Sequence, residues 1–397
     1  MAKIQIILFD DVEWQQLLPL THTRSAATLR VGILTLAEKW AAYSGLPVEI
    51  YTQPYLQALY PNEYPEEKSA FKIWVNSAII PNAKLVDSIC QIPPNYIALH
   101  PQTHKIVAAC TPASVQHPPT HTAIKDNVVL LPNYKMLTRP WDIFTLNGTE
   151  IENDFALLTK NKQSQPLGAF SQALNPNNNI FIAPGAKIQG AFLNATEGPI
   201  YIGPNAEIME GSTIRGPFAL CEGATVKMGA KIYSNTTIGP YCKIGGEVSN
   251  SVFWGYSNKA HDGFIGNSVI GAWCNLGADT NCSNLKNNYS LVTAWSMVEQ
   301  AFIDTGLQFC GLIMADHSKA GINTMFNTGT VVGVCCNVFG GGFPNKYVPA
   351  FSWVDADKNL EAYQLPKALR DINRVMARRN QTLSTAEQAA LTAIFYE

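Results

Sequence analysis

The sequence contains no long hydrophobic run and no excess of either charge. No apolar run reaches the roughly 18 residues that span a bilayer, and the apolar stretch in "MAKIQIILFDD" is too short for a signal peptide and is followed by acidic residues. With 28 basic and 30 acidic side chains, the formal net charge is −2, which provides no electrostatic attraction for nucleic acid or an anionic membrane. We therefore expect a cytoplasmic protein with no nucleic acid and no membrane as a partner.

The sequence also lacks the spacings of cysteine and histidine that hold metals or form disulfide frameworks. Its nine cysteines are an odd number and include no CxxC pair, which favours reduced thiols. Between residues 180 and 350 the only histidines are His261 and His317, whereas a zinc site needs about three protein ligands. We predict no metal site in this region.

A six-residue period is the most regular feature of the chain. An aliphatic residue recurs at every sixth position from Ile202 to Ile244, often followed by glycine, and a mostly small residue stands four positions later. This period fits neither an α-helix nor the alternation of a simple strand, and it is typical of hexapeptide repeats. It predicts a left-handed parallel β-helix, in which three hexapeptides form one coil and the coils stack about 4.8 Å apart.

The residues outside this period predict three further regions. Strand-like and helix-like segments alternate before residue 160, which indicates an α/β domain with a largely parallel sheet. A segment rich in Asn, Gln, Ser and Pro follows as a linker, and the end of the chain is predicted to form two helices. The predicted regions are the α/β domain (1–160), the linker (161–179), the β-helix (180–350) and a helical tail (351–397).

A loop that contains a histidine interrupts the six-residue period. The period is lost around "SNKAHDGFIG", residues 257–266, and returns at Phe264, Ile270 and Leu276. A solenoid tolerates insertions as loops that leave the coil, and loops on a rigid scaffold often carry function. From the residues alone, three interpretations of His261 stay open: a general base, a metal ligand, or an inert surface residue.

The sequence around His261 resembles the acetyltransferase half of a known family. The stretch "SNKAHDGFIGNSVIGAWCNLGADTNCSNLKNN" and the turn "IRGPFALCEGATV" are similar to the bifunctional N-acetylglucosamine-1-phosphate uridyltransferase/glucosamine-1-phosphate acetyltransferase family. Those enzymes make UDP-N-acetylglucosamine with an N-terminal uridyltransferase domain and a left-handed β-helix. The resemblance covers residues 180–300, and the order of the domains matches over the whole chain.

The resemblance implies a role for each matching residue. His261 would be the catalytic general base, acetyl-CoA the cosubstrate, and the active sites would form between the subunits of a homotrimer. The sugar phosphate would contact Arg215, Lys259, Phe264, Asn275 and Lys286, and coenzyme A would contact Ala278 and Asn284. The family has a tyrosine at the position of Phe264 and a glycine at that of Asp279, which leaves the identity of the amino-sugar open.

The first domain resembles a divergent subfamily of sugar nucleotidyltransferases, but it lacks their glycine-rich loop. Such enzymes begin with a strand, a glycine-rich loop that wraps the triphosphate, and the tripeptide Pro-Leu-Thr. This chain has the strand and "PLTHTRSAATLRVGILTLAEKW", residues 19–40, but Val12 and Trp14 stand where the loop glycines are expected. Side chains at these positions keep the backbone away from a triphosphate, so turnover in this domain is left open.

The candidates for nucleotide binding in this domain are charged residues. Asp10 or Asp11 would hold Mg²⁺ if the domain is active. The cations that would meet the phosphates are Arg24, Arg30 and Lys39.

Together these features predict a transferase of nucleotide-sugar synthesis. The β-helix would N-acetylate an amino-sugar phosphate, and the first domain would transfer a nucleotide to a sugar phosphate. The expected partners are therefore small-molecule sugar phosphates and nucleotides. The alternative is a first domain that is inactive or only binds a nucleotide-sugar, with the β-helix acting as a trimerisation scaffold.

Overall fold

The contacts within the computed structural model divide the chain into two compact units. The first comprises Met1–Leu17, Arg24–Leu29 and Leu34–Thr138, and the second comprises Leu18–Thr23, Arg30–Ile33 and Arg139–Glu397. The structure describes residues 4–61, 70–119, 127–131, 133–177, 179–340, 342–355, 357 and 359–397. No helix within these ranges combines the length and the apolar composition needed to cross a membrane.

The first unit is an α/β fold built on a six-stranded sheet. Its strands are β1 (Ile4–Phe9), β2 (Val48–Tyr51), β3 (Phe71–Asn76), β4 (Ile79–Ile80), β5 (Tyr96–Leu99), β6 (Ile106–Pro112), β7 (Val128–Leu130) and β8 (Lys135–Met136). The sheet has the order β2-β1-β3-β6-β5-β7, while β4 and β8 form a separate pair. β1 is parallel to β2 and β3, whereas β6 is antiparallel to β3 and β5. The predicted α/β class is confirmed, with a mixed sheet.

The helices of the first unit pack on this sheet. They are two short 3₁₀ helices (Val12–Leu17 and Ala26–Thr28), α1 (Leu36–Ser44), α2 (Pro54–Gln57) and α3 (Ala83–Cys90). α1 begins with a capping box between Thr35 and Glu38 and ends at Gly45, whose φ of 65° suits a residue without a Cβ atom. Trp40 of α1 and Ile89 of α3 are buried in the core of this unit.

The second unit is a three-sided parallel β-helix, preceded by α4 (Asp142–Thr159) and followed by α5 (Leu365–Ala377) and α6 (Thr385–Tyr396). We number its sides as face 1, face 2 and face 3. Face 1 consists of Ile180–Ile182, Ile200–Ile202, Phe218–Leu220, Thr236–Ile238, Val252–Gly255, Val269–Ala272, Ile313–Met314, Val331–Val332 and Tyr347–Val348. Face 2 consists of Lys187–Ile188, Glu207–Ile208, Thr225–Val226, Lys243–Ile244, Asn258–Lys259, Asn275–Leu276, Lys319–Ala320, Asn337–Val338, Ser352–Val354 and Leu360–Ala362.

Face 3 is shorter than the other two. Its strands are Gln172–Leu174, Phe192–Asn194, Thr213–Arg215, Lys231–Ile232, Glu247–Ser249 and Phe264–Gly266. Two further pairs follow it in the chain: the parallel pair of Asn281–Cys282 with Met325–Phe326, and the antiparallel hairpin of Thr293–Ser296 with Ala301–Asp304.

The residues of the six-residue period form the core of the β-helix. Ile202 pairs in register with Leu220, and Leu220 pairs with Ile238, so each lies three hexapeptides further along the chain. The aliphatic residues of the period from Ile202 to Ile244 are at most 3% exposed. Three hexapeptides therefore form one coil, and the expected β-helix is confirmed.

Helix α4 belongs to the second unit, although the sequence analysis assigns its residues to the end of the α/β domain. Ile151 and Phe155 of this helix are buried with Phe181 and Ala219 of face 1 and with Ile33. Burial of these apolar side chains attaches both the helix and the segment Arg30–Ile33 to the β-helix.

A buried amide in the first half of α4, that of Asn147, connects these segments. Asn147 Nδ2 donates to the carbonyl oxygen of Asn235 (2.8 Å), and Asn147 Oδ1 accepts from the N–H of Gly32 (2.7 Å). The hydroxyl of Thr237 donates to the carbonyl oxygen of Gly32 (3.0 Å), and Asn147 and Thr237 are both fully buried. Because water does not reach these polar groups, each of them needs the others as hydrogen-bond partners.

Replacing Asn147 with Ala is expected to lower the free energy of unfolding of the second unit by about 2–4 kcal/mol, because several buried partners lose their hydrogen bonds. Urea denaturation followed by tryptophan fluorescence measures this change. The matched control is Asn153→Ala, an exposed asparagine on the same helix, which should change stability by less than about 0.5 kcal/mol. Equal stability of the two variants would contradict the assignment.

Candidate functional site

The loop that carries His261 is shaped by a lysine at an inward position of the β-helix. Lys259 pairs in register with the core residue Ile244, and its side chain is fully buried. A buried ammonium group needs hydrogen-bond acceptors, and Lys259 Nζ donates to the carbonyl oxygens of His261 and Asp262. Residues 260–263 therefore curl around this ammonium. The next inward residue, Ile265, still follows Lys259 at six positions, and the period is interrupted before Lys259, where the inward residues Ile244, Val248 and Phe253 follow one another at shorter spacings.

Lys259 forms its hydrogen bonds within the loop and does not line the cleft. Burial lowers the pKa of its ammonium to about 8, while the carboxylates of Asp262 and Asp279 act in the opposite direction. The sequence resemblance implies a contact between Lys259 and the sugar phosphate. In the structure its hydrogen-bonding capacity goes to loop carbonyls, so its effect on a ligand passes through the position of His261.

His261 is exposed and lines a cleft of about 710 Å³ on face 2. The floor of the cleft is a column of residues that pair in register on successive coils: Lys243, Asn258, Asn275 and Lys319. Along one edge, at the corner between faces 2 and 3, lie His261 and Ala278. The cleft is also lined by Arg378 and Arg379, which directly follow the last residue of α5.

The opposite edge of the cleft is aromatic. Tyr256 and Trp273 occupy the corner between faces 1 and 2 on successive coils, and their rings stack with centroids 4.2 Å apart and an interplanar angle of 6°. Tyr241, one coil earlier, stacks on Tyr256 at 5.1 Å. All three residues have left-handed backbone conformations, with φ between 55° and 61°, so the rings recur at equivalent positions of each corner.

The groups at the His261 edge are free to meet a ligand. Within the described ranges, the imidazole of His261 takes part in no hydrogen bond, and the backbone N–H of Ala278 donates to no backbone carbonyl. Asn275, between them on the floor, is exposed. A base, an amide side chain and a backbone donor thus line one cleft.

Two residues that the resemblance assigns to the sugar phosphate lie on face 3 and do not line this cleft. Arg215 forms an ion pair with Glu197, with 3.0 Å between Nη1 and Oε1. Phe264 belongs to the last strand of face 3 and donates its backbone N–H to Asn281 Oδ1 (2.8 Å).

The two remaining candidates of the β-helix also lie outside the lining of the cleft. Asn284 Nδ2 donates to Asn267 Oδ1 (2.7 Å). Lys286 Nζ donates to the carbonyl oxygen of Leu291 (2.6 Å) in the segment that leads to the hairpin. In a single chain, the structure therefore brings His261, Asn275 and Ala278 together in the lining of the cleft, whereas Arg215, Phe264, Asn284 and Lys286 lie outside that lining.

The sequence analysis missed most of the cations and aromatics of the cleft. Lys243 and Asn258 precede inward residues of face 2, so the register of the coils is a signal that would have placed them in one column with Asn275. Arg378 and Arg379 stand out in the sequence as part of a basic tail segment, which is typical of a solvated helix face or of an anion contact with a neighbouring subunit. The sequence does not place them at this cleft, because their position depends on how the tail helix returns to face 2.

In the first unit, Asp10 organises the carboxyl ends of three parallel strands. Its carboxylate follows β1 and accepts hydrogen bonds from Thr52 Oγ1 after β2 (2.5 Å), from Ser77 Oγ after β3, and from the N–H of Ala26 (3.1 Å). Burial raises the pKa of Asp10, against these hydrogen bonds. Asp11 accepts from Asn76 Nδ2 (2.8 Å), and burial raises its pKa as well.

Two of the three cations that were predicted to bind phosphates in this unit are either buried or part of the second unit. Lys39 is fully buried in α1, and Arg30 belongs to the second unit, where its guanidinium donates to the carbonyl oxygen of Ile33. Arg24 is the candidate that stays in the first unit with a partly exposed side chain, close enough to Tyr60 to affect the pKa of that phenol.

Asp10 and Asp11, the candidate ligands of Mg²⁺ in this unit, do not fit the ion as they are arranged. Asp10 is 8% exposed, and its carboxylate oxygens already accept three hydrogen bonds. Asp11 is engaged by Asn76 and by the N–H of Glu13. No group of three potential ligands from His, Cys, Asp and Glu occurs in the portion of the chain described.

Comparison with known proteins adds evidence for the first part of the chain. No curated protein sequence matches the chain. Among solved structures, it is similar to the polysialic acid O-acetyltransferase OatWY, with 12% identity over 49% of this chain and 86% of that one and a TM-score of 0.27. It is also similar to Arabidopsis UDP-N-acetylglucosamine acyltransferase, with 16% identity over 57% of this chain and 88% of that one and a TM-score of 0.18. Neither likeness is close enough to support an argument about this chain.

The first part of the chain matches a known protein family. Residues 6–163 match the family described as sugar nucleotidyl transferase. The expectation of a transferase with a nucleotidyltransferase-like first domain is confirmed by this match.

Proposed function

We propose that the second unit transfers an acetyl group from acetyl-CoA to the amine of an amino-sugar phosphate, with His261 as the general base. The observation that carries the proposal is the exposed imidazole of His261 on the face 2 cleft, together with Asn275 and Ala278. The resemblance of residues 180–300 to acetyltransferases supports the same reaction.

The chain supplies the two groups that this reaction needs. An amine attacks a thioester only when neutral, and an imidazole, whose ordinary pKa is about 6.5, accepts a proton near neutral pH. His261 takes the proton that the amine loses as the C–N bond forms, and returns it to the sulfur of coenzyme A as the C–S bond breaks. The backbone N–H of Ala278 donates to the oxyanion of the tetrahedral intermediate.

For the first unit, we propose a nucleotide or nucleotide-sugar site at the carboxyl ends of β1, β2 and β3. Ligands of open α/β sheets bind outside the carboxyl ends of the strands, and Asp10 orders three segments there. The family match of residues 6–163 supports this site. Sugar-1-phosphate nucleotidyl transfer is the activity proposed for it.

We also propose that the protein is a homotrimer. Arg215 and Phe264 lie on face 3, away from the face 2 cleft of the same chain. If they contact the sugar phosphate as the resemblance implies, the face 3 of a second subunit has to complete the site.

Replacing His261 with Ala or Gln is expected to lower acetyl transfer by 10² or more, the usual effect of losing a general base, with little change in the affinity for coenzyme A. Thiol release with glucosamine-1-phosphate and a panel of other amino-sugar phosphates measures the rate. His104→Gln, at an exposed histidine of the first unit, is the control. Undiminished activity of both His261 variants would contradict the assignment of the base.

Replacing Arg24 with Ala is expected to weaken UTP binding to the chain at least tenfold, because a charge-assisted hydrogen bond to phosphate is lost. Calorimetry with and without Mg²⁺ measures the Kd, and Lys84→Ala, an exposed lysine of α3, is the control. Arg24-dependent binding with pyrophosphate release supports nucleotidyl transfer. The absence of binding by UTP and dTTP would show that this unit has no nucleotide site.

Light scattering at micromolar concentration is expected to give three times the 43.4 kDa of one chain. With Arg215→Ala, the trimer should persist while the KM for the sugar phosphate rises, since Arg215 would contact the ligand of a neighbouring subunit. A monomer would rule out a site shared between subunits.

A further inference from the structure

One corner of the β-helix carries a buried carboxylate that the proposed acetyl transfer does not use. Asp316 lies between Met314 of face 1 and Lys319 of face 2 and is 4% exposed. Its Oδ1 accepts the N–H of Ala272 on the preceding coil (2.7 Å), and its Oδ2 accepts the hydroxyl of Thr23 (2.7 Å). The two oxygens of this carboxylate thus join groups that are far apart in the sequence.

The preceding coil leaves room for this carboxylate. A Cβ atom at Gly271 would lie 2.4 Å from Asp316 Oδ1 and 2.8 Å from the backbone nitrogen of Asp316. A Cβ atom does not approach other heavy atoms so closely, so the position of the carboxylate depends on a glycine at 271. The site of Asp316 is therefore built from the backbone of two coils.

Thr23 is the last residue of a segment, Leu18–Thr23, that belongs to the second unit although it lies within the first domain in the sequence. Three of its residues are at most 4% exposed: Leu20, Thr21 and His22. Burial and the hydrogen bond from Thr23 to Asp316 together fix the position of this segment.

The chain leaves the second unit after Thr23. The next six residues, Arg24–Leu29, belong to the first unit, where the N–H of Ala26 donates to Asp10 Oδ1 (3.1 Å). These six residues therefore carry both the candidate phosphate ligand Arg24 and the backbone group that reaches Asp10.

The residues that follow Arg24–Leu29 are anchored in the second unit again. Asn147 Oδ1 and Asp154 Oδ2 of α4 accept the N–H groups of Gly32 and Ile33, both at 2.7 Å. Buried side chains of the second unit thus fix the chain on both sides of these six residues. The anchor at Asp316 is the nearer one to Arg24 in the sequence, because Thr23 directly precedes it.

An arginine binds phosphate more tightly when its backbone is held in place before the ligand arrives. The side chain of arginine loses rotamer freedom on binding, and a fixed backbone reduces what else has to be ordered at that moment. The hydrogen bond from Thr23 is suited to this task, because hydrogen bonds to ionised acceptors are stronger than those between neutral groups.

We infer that Asp316 is a positioning residue for the nucleotide site of the first unit: through Thr23, it fixes the backbone that presents Arg24 to the phosphates. The inference deepens the site proposed at the carboxyl ends of β1, β2 and β3, and rests on that proposal. It makes phosphate binding by the first unit dependent on a carboxylate of the β-helix.

The test is calorimetry on the full chain with UTP, or with dTTP if only that nucleotide binds. Thr23→Val removes the hydroxyl and is expected to raise the Kd at least fivefold. Thr23→Ser retains the hydroxyl and should bind within twofold of the wild type. In an Arg24→Ala background, Thr23→Val should change the Kd less than twofold, because its effect passes through Arg24. Thermal unfolding confirms that each variant is folded.

A second pair of variants tests the carboxylate itself. Asp316→Ala should raise the Kd as much as Thr23→Val does, and combining the two should give no further increase, because both remove the same hydrogen bond. The matched control is Asp304→Ala, at an exposed aspartate of the hairpin, which should leave the Kd unchanged.

The outcomes separate this inference from the site on which it rests. Arg24-dependent binding that is equal in Thr23→Val and Thr23→Ser would overturn the inference and leave the nucleotide site in place. Equal losses with and without Arg24 would show that Thr23 acts on the fold in general, which also overturns it. If neither nucleotide binds to the wild type, the nucleotide site and this inference are both refuted.

Discussion

The stacking of inward side chains from one coil onto the next is the constraint on which the second unit depends. From Ile202 to Val226, each aliphatic residue of the period pairs with the residue three hexapeptides further along, and burying such a side chain contributes about 1.5–3 kcal/mol. Because every coil needs the register of its neighbours, extra residues leave the β-helix only at its corners. The segment that holds the hairpin of Thr293–Ser296 and Ala301–Asp304 is placed in this way.

The same constraint explains the candidate active site. Lys259 occupies an inward position where the period has an aliphatic residue, and a lysine there is tolerated only if its ammonium finds acceptors. The loop supplies two backbone carbonyls. The consequence is a corner that is fixed from inside by a buried cation and that presents an exposed histidine outside.

The tail helix has two roles along its length. Its first turns are tied to the β-helix by Lys367 over the ring of Trp353 and by Tyr363, whose hydroxyl donates to Asp371 (2.8 Å). Beyond its last turn, Arg378 and Arg379 line the face 2 cleft. Arg378 and Arg379 thus line a cleft, whereas Arg370 and Arg374 are exposed on the surface of the helix.

The sequence by itself determined the β-helix, because a six-residue period and its inward aliphatic residues are local and repeat often enough to define the fold. It also determined the α/β class of the first unit and singled out His261, since a break in a regular period is visible without coordinates. Asn275 and Ala278 followed from the resemblance, and the structure places both in the cleft of His261.

Only the tertiary structure decided which charged residues are available and where. Lys39 and Lys259 are identical in kind to exposed lysines in the sequence, yet both are fully buried, because burial depends on which face of an element meets the core. Arg30 and α4 belong to the second unit because Asn147 and Thr237 bind Gly32 across a large separation in sequence. Arg379 meets Asn258 only once the chain has completed its coils, so contacts between distant residues decided the composition of the cleft.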